Sequence, residues 1–222
     1  MIRREFSRYA LAISYSGLPY SGFPPQPNAP LPTIYSRLAS ALDAFSPSGW
    51  GELAISSRTD SGVSAYMNTV HLDLPSGSYT PSSIVQGLNY HLPLTSPFPS
   101  PPNSPPLTDS IRVLTCAAVP PSWHSRHSAY QRTYQYRVLS PPPSASYNPH
   151  PYLPFLRSSP VYSSPGHVCP IRMSEAAELV RGVEKDYTWA RGKRCTAKGP
   201  LATVWDVRVR KEPAHPMGGL MG

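Results

Sequence analysis

The sequence of 222 residues has only three cysteines, Cys116, Cys169 and Cys195, and no two of them have the short spacing of a structural zinc site. Three scattered cysteines provide no disulfide framework either, which is typical of a protein from a reducing compartment. Long hydrophobic runs are also missing, because the longest, such as Val113 to Val119, are far too short to cross a bilayer. No basic and apolar signal peptide opens the chain. These absences predict a soluble protein with no membrane partner.

Acidic residues are scarce. Asp and Glu number 12 against 20 Lys and Arg, which gives a formal net charge of +8 and a sequence pI near 9.5. A basic surface favours a polyanionic partner such as nucleic acid, although a charged surface that serves only solubility has the same composition.

Proline is abundant, with 30 residues, and it is concentrated in three clusters. These are Pro19 to Pro32, Pro93 to Pro106 and Pro141 to Pro170. Proline fixes φ and removes a backbone donor, so the clusters predict loops or insertions between ordered elements. Their PxxP spacings leave open a proline-rich interaction protein as a distant alternative.

Hydrophobic periodicity predicts the order β-α-β-β-α-β over residues 9–119. Thr33 and Thr80 stand where helix N-caps are expected, and Pro81 suits a first helical position. The predicted elements are strand Tyr9–Tyr15, a helical stripe from Ile34 to Phe45, strand Glu52–Ser56, strand Met67–Leu74, helix Ser82–His91 and strand Ile111–Val119. This order is the ferredoxin-like supersecondary unit.

Three further elements are expected downstream: a strand over Thr133–Leu139, a helix over Glu175–Val183 capped by Ser174, and a strand over Ala202–Val209. The fold class is therefore α+β. We expect a ferredoxin-like N-terminal domain over residues 1–120 and a second α+β subdomain over residues 121–222, with a proline-rich insertion at 141–170.

The densest polar cluster is Ser56 to Gly62, a turn between two apolar strands that contains Asp60. Arg58, two residues away, favours the ionised form that a carboxylate nucleophile needs. An ordinary surface turn is the alternative, since Asp and Gly are common turn residues.

A second cluster mixes cations and aromatic residues. It comprises Trp123-His124-Ser125-Arg126-His127 and Arg132-Thr133-Tyr134-Gln135-Tyr136-Arg137. Guanidinium groups suit phosphates and aromatic faces suit unpaired bases, so the pattern fits RNA, although the tyrosines could equally belong to a core. No metal is expected at His124 and His127, because the sequence places no third ligand near them.

Four groups of residues resemble, in order, the motifs of the TruA family of tRNA pseudouridine synthases. They are Tyr15-Ser16-Gly17 to Gly22-Phe23 (Y-x-G, then G-W or G-F), Ser57-Arg58-Thr59-Asp60-Ser61-Gly62-Val63 (G/S-R-T-D-A-G-V), Leu88-Asn89-Tyr90-His91-Leu92-Pro93 (L-N-x-x-L-P), and Trp123 to Ala129 with Arg132 to Tyr136 (F-H-A-R-x-x-A and R-x-Y-x-Y). This ordered occurrence over roughly residues 9–139 is much more specific than any single motif. The amino-acid sequences of Ser56–Asp60 and Ile111–Leu114 are most similar to those of animal tRNA pseudouridine synthase-like proteins, which are associated with mitochondria.

The resemblance implies a pseudouridine synthase fold and the isomerisation of uridine to pseudouridine in RNA, most often tRNA, with no cofactor or metal. It implies Asp60 as nucleophile, Tyr134 stacked on the target base, Arg58 positioning the flipped nucleotide or its phosphate, and His124 and Arg126 near the RNA. A homodimer and a mitochondrial location are implied by resemblance alone, with the cytoplasm or nucleus as alternatives.

The sequence departs from the family pattern at several positions. Ser61 and Ser64 replace the usual Ala and His. After Ala202–Val209 the family continues into a V-R segment whose arginine pairs with the catalytic aspartate, whereas residues 213–222 here show no such pattern. We therefore expect an incomplete C-terminal catalytic subdomain. A catalytically inactive RNA-binding fragment or pseudoenzyme of the same family is the second hypothesis.

Overall fold

A computed structural model describes residues 5–94, 111–139, 160–162, 169–182, 184–186, 201–204 and 206–210. The chain divides into two compact units, the first of residues 1–137 with 149–160 and the second of residues 138–148 with 161–222. No helix in the described ranges is long and apolar enough to cross a membrane.

The first unit has one four-stranded sheet and two helices. The elements are β1 (Phe6–Tyr15), α1 (Ile34–Phe45), β2 (Leu53–Ile55), β3 (Ala65–Pro75), α2 (Pro81–Leu94) and β4 (Ile111–Val119). The strands lie in the order β2-β3-β1-β4 and each pairs antiparallel with its neighbours. The α+β class and the predicted order of elements over residues 9–119 are both confirmed, and β4 has the predicted bounds.

Both helices begin where the sequence predicts. The Thr33 Oγ1 accepts the Ser36 N–H at 3.1 Å while the Ser36 Oγ accepts the Thr33 N–H at 3.0 Å, so α1 starts with a reciprocal capping box. Thr80 and Ser83 make the same pair of bonds before Pro81 opens α2. The first proline cluster, Pro19 to Pro32, forms the predicted loop between β1 and α1.

The core lies between one face of the sheet and the two helices. Alternate residues of β1 and β3 point into it, and they pack against the apolar stripes of α1 and α2. Its largest fully buried side chains include Leu11, Ile13, Leu38, Leu42, Leu72, Leu74, Ile84 and Leu88. Asn89 joins α2 to β4, because its amide donates to the Val113 carbonyl at 2.8 Å and its Oδ1 accepts the Val113 N–H at 2.9 Å.

Alternation alone misjudges the opposite face of β3. The pattern places Thr69, His71 and Asp73 on a polar face away from Val70 and Leu72. His71 is nevertheless completely buried at 0% exposure, and the Asp73 side chain is only 16% exposed. This face is covered, next to the β2 edge, by the chain that follows β4.

The elements predicted after residue 120 are only partly correct. Residues 131–136 form no strand and are all exposed, so strand structure is limited to β5 (Arg137–Leu139), which pairs with β6 (Pro160–Tyr162). Alternating residues favour an extended chain, but a strand also needs a hydrogen-bonded neighbour. The predicted strand over Ala202–Val209 is reduced to β8 (Leu201–Thr203), which pairs with the equally short β7 (Glu184–Asp186).

The helix of the second unit, α3, spans Pro170–Val180 and starts earlier than predicted. Cys169 occupies the N-cap position, and Ser174 lies inside the helix with its hydroxyl donating to the Pro170 carbonyl. The prediction of Ser174 as N-cap is therefore wrong, because Pro170 is already suited to the first helical position. Most of the second and third proline clusters, including nearly all of the predicted insertion at 141–170, lie outside the described residues, as do residues 211–222.

Cys116 in β4 provides a simple check on this packing. Burial raises the pKa of its thiol to about 11. Because only the thiolate reacts, we expect alkylation by iodoacetamide at pH 7.5 to be about 10²-fold slower than for a free thiol of pKa ~8.5. The measurement is mass-spectrometric labelling of a Cys169→Ser, Cys195→Ser variant, with the urea-unfolded protein as control. Equal rates in the folded and unfolded protein would show that Cys116 is not shielded.

Candidate active site

Asp60 lies on the loop of residues 56–64 that joins β2 to β3. The Val63 N–H donates to the Asp60 carbonyl at 3.1 Å, and Gly62 has a left-handed φ of +79°, so the chain makes a tight turn here. The Asp60 side chain is exposed. The loop therefore presents its one carboxylate to solvent from a fixed backbone turn.

The segment after β1 holds this loop from one side through backbone bonds. The Phe23 N–H donates to the Thr59 carbonyl at 3.0 Å, the Gly62 N–H donates to the Tyr20 carbonyl at 3.3 Å, and the Gly17 N–H donates to the Ser64 Oγ at 3.0 Å. These contacts join the Y-x-G and R-T-D-x-G motifs, which are over 30 residues apart in the sequence.

A buried polar group holds the loop from below. Asn68 is 7% exposed and donates to the Ser57 carbonyl at 2.9 Å and to the Tyr15 Oη at 3.1 Å. The Tyr15 hydroxyl in turn lies 2.9 Å from the Thr59 Oγ1. Burial raises the pKa of Tyr15, so it stays a neutral hydroxyl. The loop is thus tied to β1 and β3 on both sides of Arg58.

Replacing Asn68 with alanine is expected to loosen this loop. It leaves the Ser57 carbonyl and the Tyr15 hydroxyl short of a buried donor, a loss of about 1–3 kcal/mol in the free energy of unfolding. Urea denaturation measures this change, and the pseudouridine-forming rate proposed below should fall with it. Gln86→Ala is the matched control, since among the described residues the Gln86 amide bonds only to the exposed Ser82, at 3.5 Å. Similar stability for Asn68→Ala and Gln86→Ala would contradict the support that we assign to Asn68.

Arg58 and Asp60 do not pair as the sequence suggested. Both side chains are exposed, and neither makes a hydrogen bond or ion pair with any described residue. The two residues share a turn in which their side chains remain separate. Asp60 is therefore available to a substrate, and Arg58 is available to a phosphate or a base.

The second predicted cluster forms a turn after β4, here called the Trp123–Ser128 turn. The Ser128 N–H donates to the His124 carbonyl at 2.8 Å, and the His124 Nδ1 accepts the N–H groups of Arg126 at 3.1 Å and His127 at 3.4 Å. Burial, followed by the charges of His71 and His127, lowers the pKa of His124. Its ring is therefore neutral near pH 7, and its Nδ1 stabilises the turn as a hydrogen-bond acceptor.

Arg126, Arg132 and three tyrosines extend from this region into solvent. The Arg126 side chain has no partner among the described residues, and Arg132 donates to the Ser56 carbonyl at 3.1 Å, at the start of the Asp60 loop. Tyr130, Tyr134 and Tyr136 are 92%, 66% and 79% exposed, which excludes the alternative that they belong to the core of this unit. No hydrogen bond or ring contact joins Tyr134 to the Asp60 loop in the part of the chain that the structure describes.

The prediction that no third ligand lies near His124 is wrong. The sequence shows no third ligand, but the fold brings Glu52, His71 and His124 together so that one ligand atom of each lies within 4.8 Å of the others. A histidine that binds a metal through Nε2 normally donates its Nδ1–H to an acceptor. Here the Nδ1 of both His71 and His124 instead accepts a backbone N–H, so Nε2 carries the ring proton. Each Nε2 therefore carries a hydrogen and offers no lone pair to a cation, so this donor set does not fit a metal, although the His71 Nε2–H itself makes no hydrogen bond to Glu52.

Four residues of this region were missed as functional candidates: Glu52, Asn68, His71 and Ser125. Three of them are buried at 7% exposure or less. Polar residues in a strand pattern normally face water. The one feature of the sequence that could have indicated these residues is that several polar side chains lie close to the two recognised motifs. Several of their partners come from distant segments, as in the pair of His71 and Ser125, which lie 54 residues apart in sequence.

The fold and the site agree with the class of enzyme that the motifs predict, in which a carboxylate acts on RNA. No family model matches the chain. It is 31% identical over 206 residues to the tRNA pseudouridine synthase A of Caulobacter sp. (strain K31), which covers 92% of this chain and 71% of the relative. It is 32% identical to that of Roseobacter denitrificans (89% and 65% covered) and 30% identical to that of Methylorubrum extorquens (92% and 71% covered). The chain belongs to the tRNA pseudouridine synthase A family.

Proposed function

We propose that this chain is a tRNA pseudouridine synthase, an isomerase that converts uridine in tRNA to pseudouridine with Asp60 as the nucleophile. The observation that carries the proposal is an exposed Asp60 on a loop whose backbone is held from both sides, in a chain of this family. A nucleophile needs a free side chain and a fixed backbone, because small displacements from the reacting geometry are costly in rate.

The reaction breaks the glycosidic bond, turns the base and joins carbon 5 to the ribose. The target uridine has to leave its stack before the Asp60 carboxylate reaches the ribose or the base. Arg58 and Arg126 are exposed, which suits contacts with phosphate, and the exposed ring of Tyr134 provides a face for stacking. We assign nucleophilic attack to the Asp60 carboxylate and phosphate binding to Arg58 and Arg126. Tyr134 stacks on the flipped base.

The strand order supports a finer description of the first unit. Read from β4, the sheet runs β4-β1-β3-β2 with antiparallel neighbours, and both helices pack on one face. A right-handed βαβ crossover on each side of the β2 and β3 hairpin gives this arrangement. We propose that residues 6–119 form a ferredoxin-like unit with the Asp60 loop in its central hairpin.

Tritium release tests the activity. The protein is incubated with tRNA transcripts that carry tritium at carbon 5 of uridine, and release into water is followed with time. Isomerisation replaces the carbon 5 hydrogen, so release in proportion to pseudouridine formed is expected. Reverse transcription after carbodiimide treatment then maps the position. RNA binding without tritium release would contradict the proposed activity.

The second candidate is an RNA-binding protein without catalysis, and the exposed cations and tyrosines around Arg126 favour it specifically. It predicts RNA affinity that falls steeply with salt concentration and that survives Asp60→Ala unchanged. Binding assays and the tritium assay on the same preparation distinguish the two candidates.

The motif wording also supports closeness to the animal tRNA pseudouridine synthase-like proteins, and with it a mitochondrial location; the cytoplasm and the nucleus are the alternatives. A homodimer is proposed on the same resemblance. Fractionation of cells that express a tagged protein tests the location, and sedimentation equilibrium tests the dimer. A tag confined to the cytosolic fraction would contradict the first, and a mass near 24.3 kDa would contradict the second.

A further inference from the structure

The helix-free face of the sheet carries a row of charges next to the β2 edge. Arg8, Asp73 and Glu52 are neighbours across β1, β3 and the start of β2, and the Arg8 guanidinium bonds to Asp73 at 2.7 Å and 2.8 Å and to Glu52 at 2.9 Å. His71 lies one row along, between Ala10 and Ala54. The small alanines leave room above the sheet for another segment.

The Trp123–Ser128 turn fills this space through hydrogen bonds to each row. The Arg8 Nη1 donates to the Trp123 carbonyl at 3.0 Å, the Ser125 N–H donates to the His71 Nδ1 at 3.2 Å, and the Ser125 hydroxyl donates to the Ala54 carbonyl at 3.1 Å. Ser125 itself is 1% exposed. Ser125, at the centre of the turn, is thereby buried with both of its donors satisfied, while residues 126–128 stay exposed.

These bonds fix the proton on His71. Its Nδ1 accepts a backbone N–H, so the hydrogen resides on Nε2, which lies 3.2 Å from the Glu52 Oε2 although it is not aligned for a full hydrogen bond. His124 adds a second Nε2 at 3.8 Å from the other Glu52 oxygen. The His71 side chain is the main cause that holds the pKa of Glu52 below its usual value, and Arg8 acts in the same direction.

The same hydrogen bonds also connect the Trp123–Ser128 turn to the Asp60 loop. Ala54, which accepts from Ser125, lies in β2, and β2 continues directly into the Asp60 loop. Arg132, a few residues after the turn, bonds to the carbonyl of Ser56, the first residue of that loop. Arg126 and Arg132 are therefore held beside the strand that leads to Asp60, although neither belongs to the Asp60 loop.

We propose that His71, Ser125 and Glu52 form an anchor that positions the Trp123–Ser128 turn on the sheet, and that this anchor places Arg126 and Arg132 on the RNA backbone next to Asp60. The inference rests on the proposed function for its partner, RNA. His71 and Glu52 act through the turn and do not touch the substrate.

A double-mutant cycle on tRNA affinity tests the anchor. His71→Ala and the pair Arg126→Gln, Arg132→Gln are each expected to weaken tRNA binding about tenfold and to lower the salt slope of log K by about 1–2. In the triple variant the effects should not add, because arginines on an unanchored turn no longer contribute. His71→Asn should recover most of the affinity, since its Oδ1 replaces Nδ1 as acceptor for Ser125, whereas His71→Gln should not.

Ser125→Ala is the second variant, in case the buried His71 position does not tolerate alanine. It removes one bond to β2 and should speed hydrogen exchange at residues 123–128 while the core amides stay protected. Additive losses in the cycle, or equal affinities for the Asn and Gln variants, would overturn the anchor. The anchor would also be overturned if the protein bound one equivalent of zinc and the His71→Ala variant did not. Because binding is measured, failure of isomerisation would refute the proposed activity and leave this inference standing.

Discussion

The Asp60→Ala variant is expected to lose pseudouridine formation by about 10³-fold or more while it remains folded and bound to tRNA. Removing a nucleophile removes the covalent route itself, whereas removing a binding contact only weakens the complex. The exposed Asp60 side chain has no partner among the described residues. Its loss should therefore change the free energy of unfolding by no more than ~0.5 kcal/mol.

The assay is tritium release under single-turnover conditions with saturating protein, so that binding does not limit the rate. Ser61→Ala is the matched control, because it alters the next residue and removes only the Ser61 hydroxyl bond to the Tyr20 carbonyl, which still accepts from Gly62. Its rate should stay within about threefold of the original protein. If Asp60→Ala kept the rate of Ser61→Ala, the assignment of Asp60 as nucleophile would be wrong.

The Gly17→Ala variant should lose both stability and activity. A Cβ atom at Gly17 would overlap the backbone N, C and O atoms of Val63, and no flexible side chain is present there to move aside. Either the segment after β1 or the Asp60 loop has to shift. Overpacking of this kind costs about 1–3 kcal/mol, and a displacement of about 1 Å in a reacting group can cost 10²-fold in rate.

Gly77→Ala separates these two effects. Gly77 also resists substitution, because its φ of +78° is left-handed, but a Cβ there meets nothing within 4 Å. It should lower stability by about 1 kcal/mol and leave the rate per folded molecule unchanged. Thermal unfolding and tritium release measure the two quantities. A rate loss in Gly77→Ala as large as that in Gly17→Ala would show that the contact with Val63 is not what matters.

Local patterns were sufficient for most of the first unit. The apolar stripe from Ile34 to Phe45 and the cap at Thr33 depend on neighbours within one or two helical turns, and both are present as predicted. The same holds for β4, whose bounds were predicted correctly. The predicted strand over Thr133–Leu139 was reduced to Arg137–Leu139, because alternation does not specify a sheet partner and the described chain offers none to residues 131–136.

By itself the sequence determined the family, the α+β class and the position of Asp60, because ordered motifs and short-range periodicity are properties of the chain alone. Only the tertiary structure showed that Asn68 supports the Asp60 loop, that Arg58 and Asp60 stay apart, and that the Ser125 N–H of the Trp123–Ser128 turn bonds to the buried His71 beside Glu52. These facts depend on hydrogen bonds between segments far apart in sequence. Such bonds follow from strand register and burial, which no local pattern encodes.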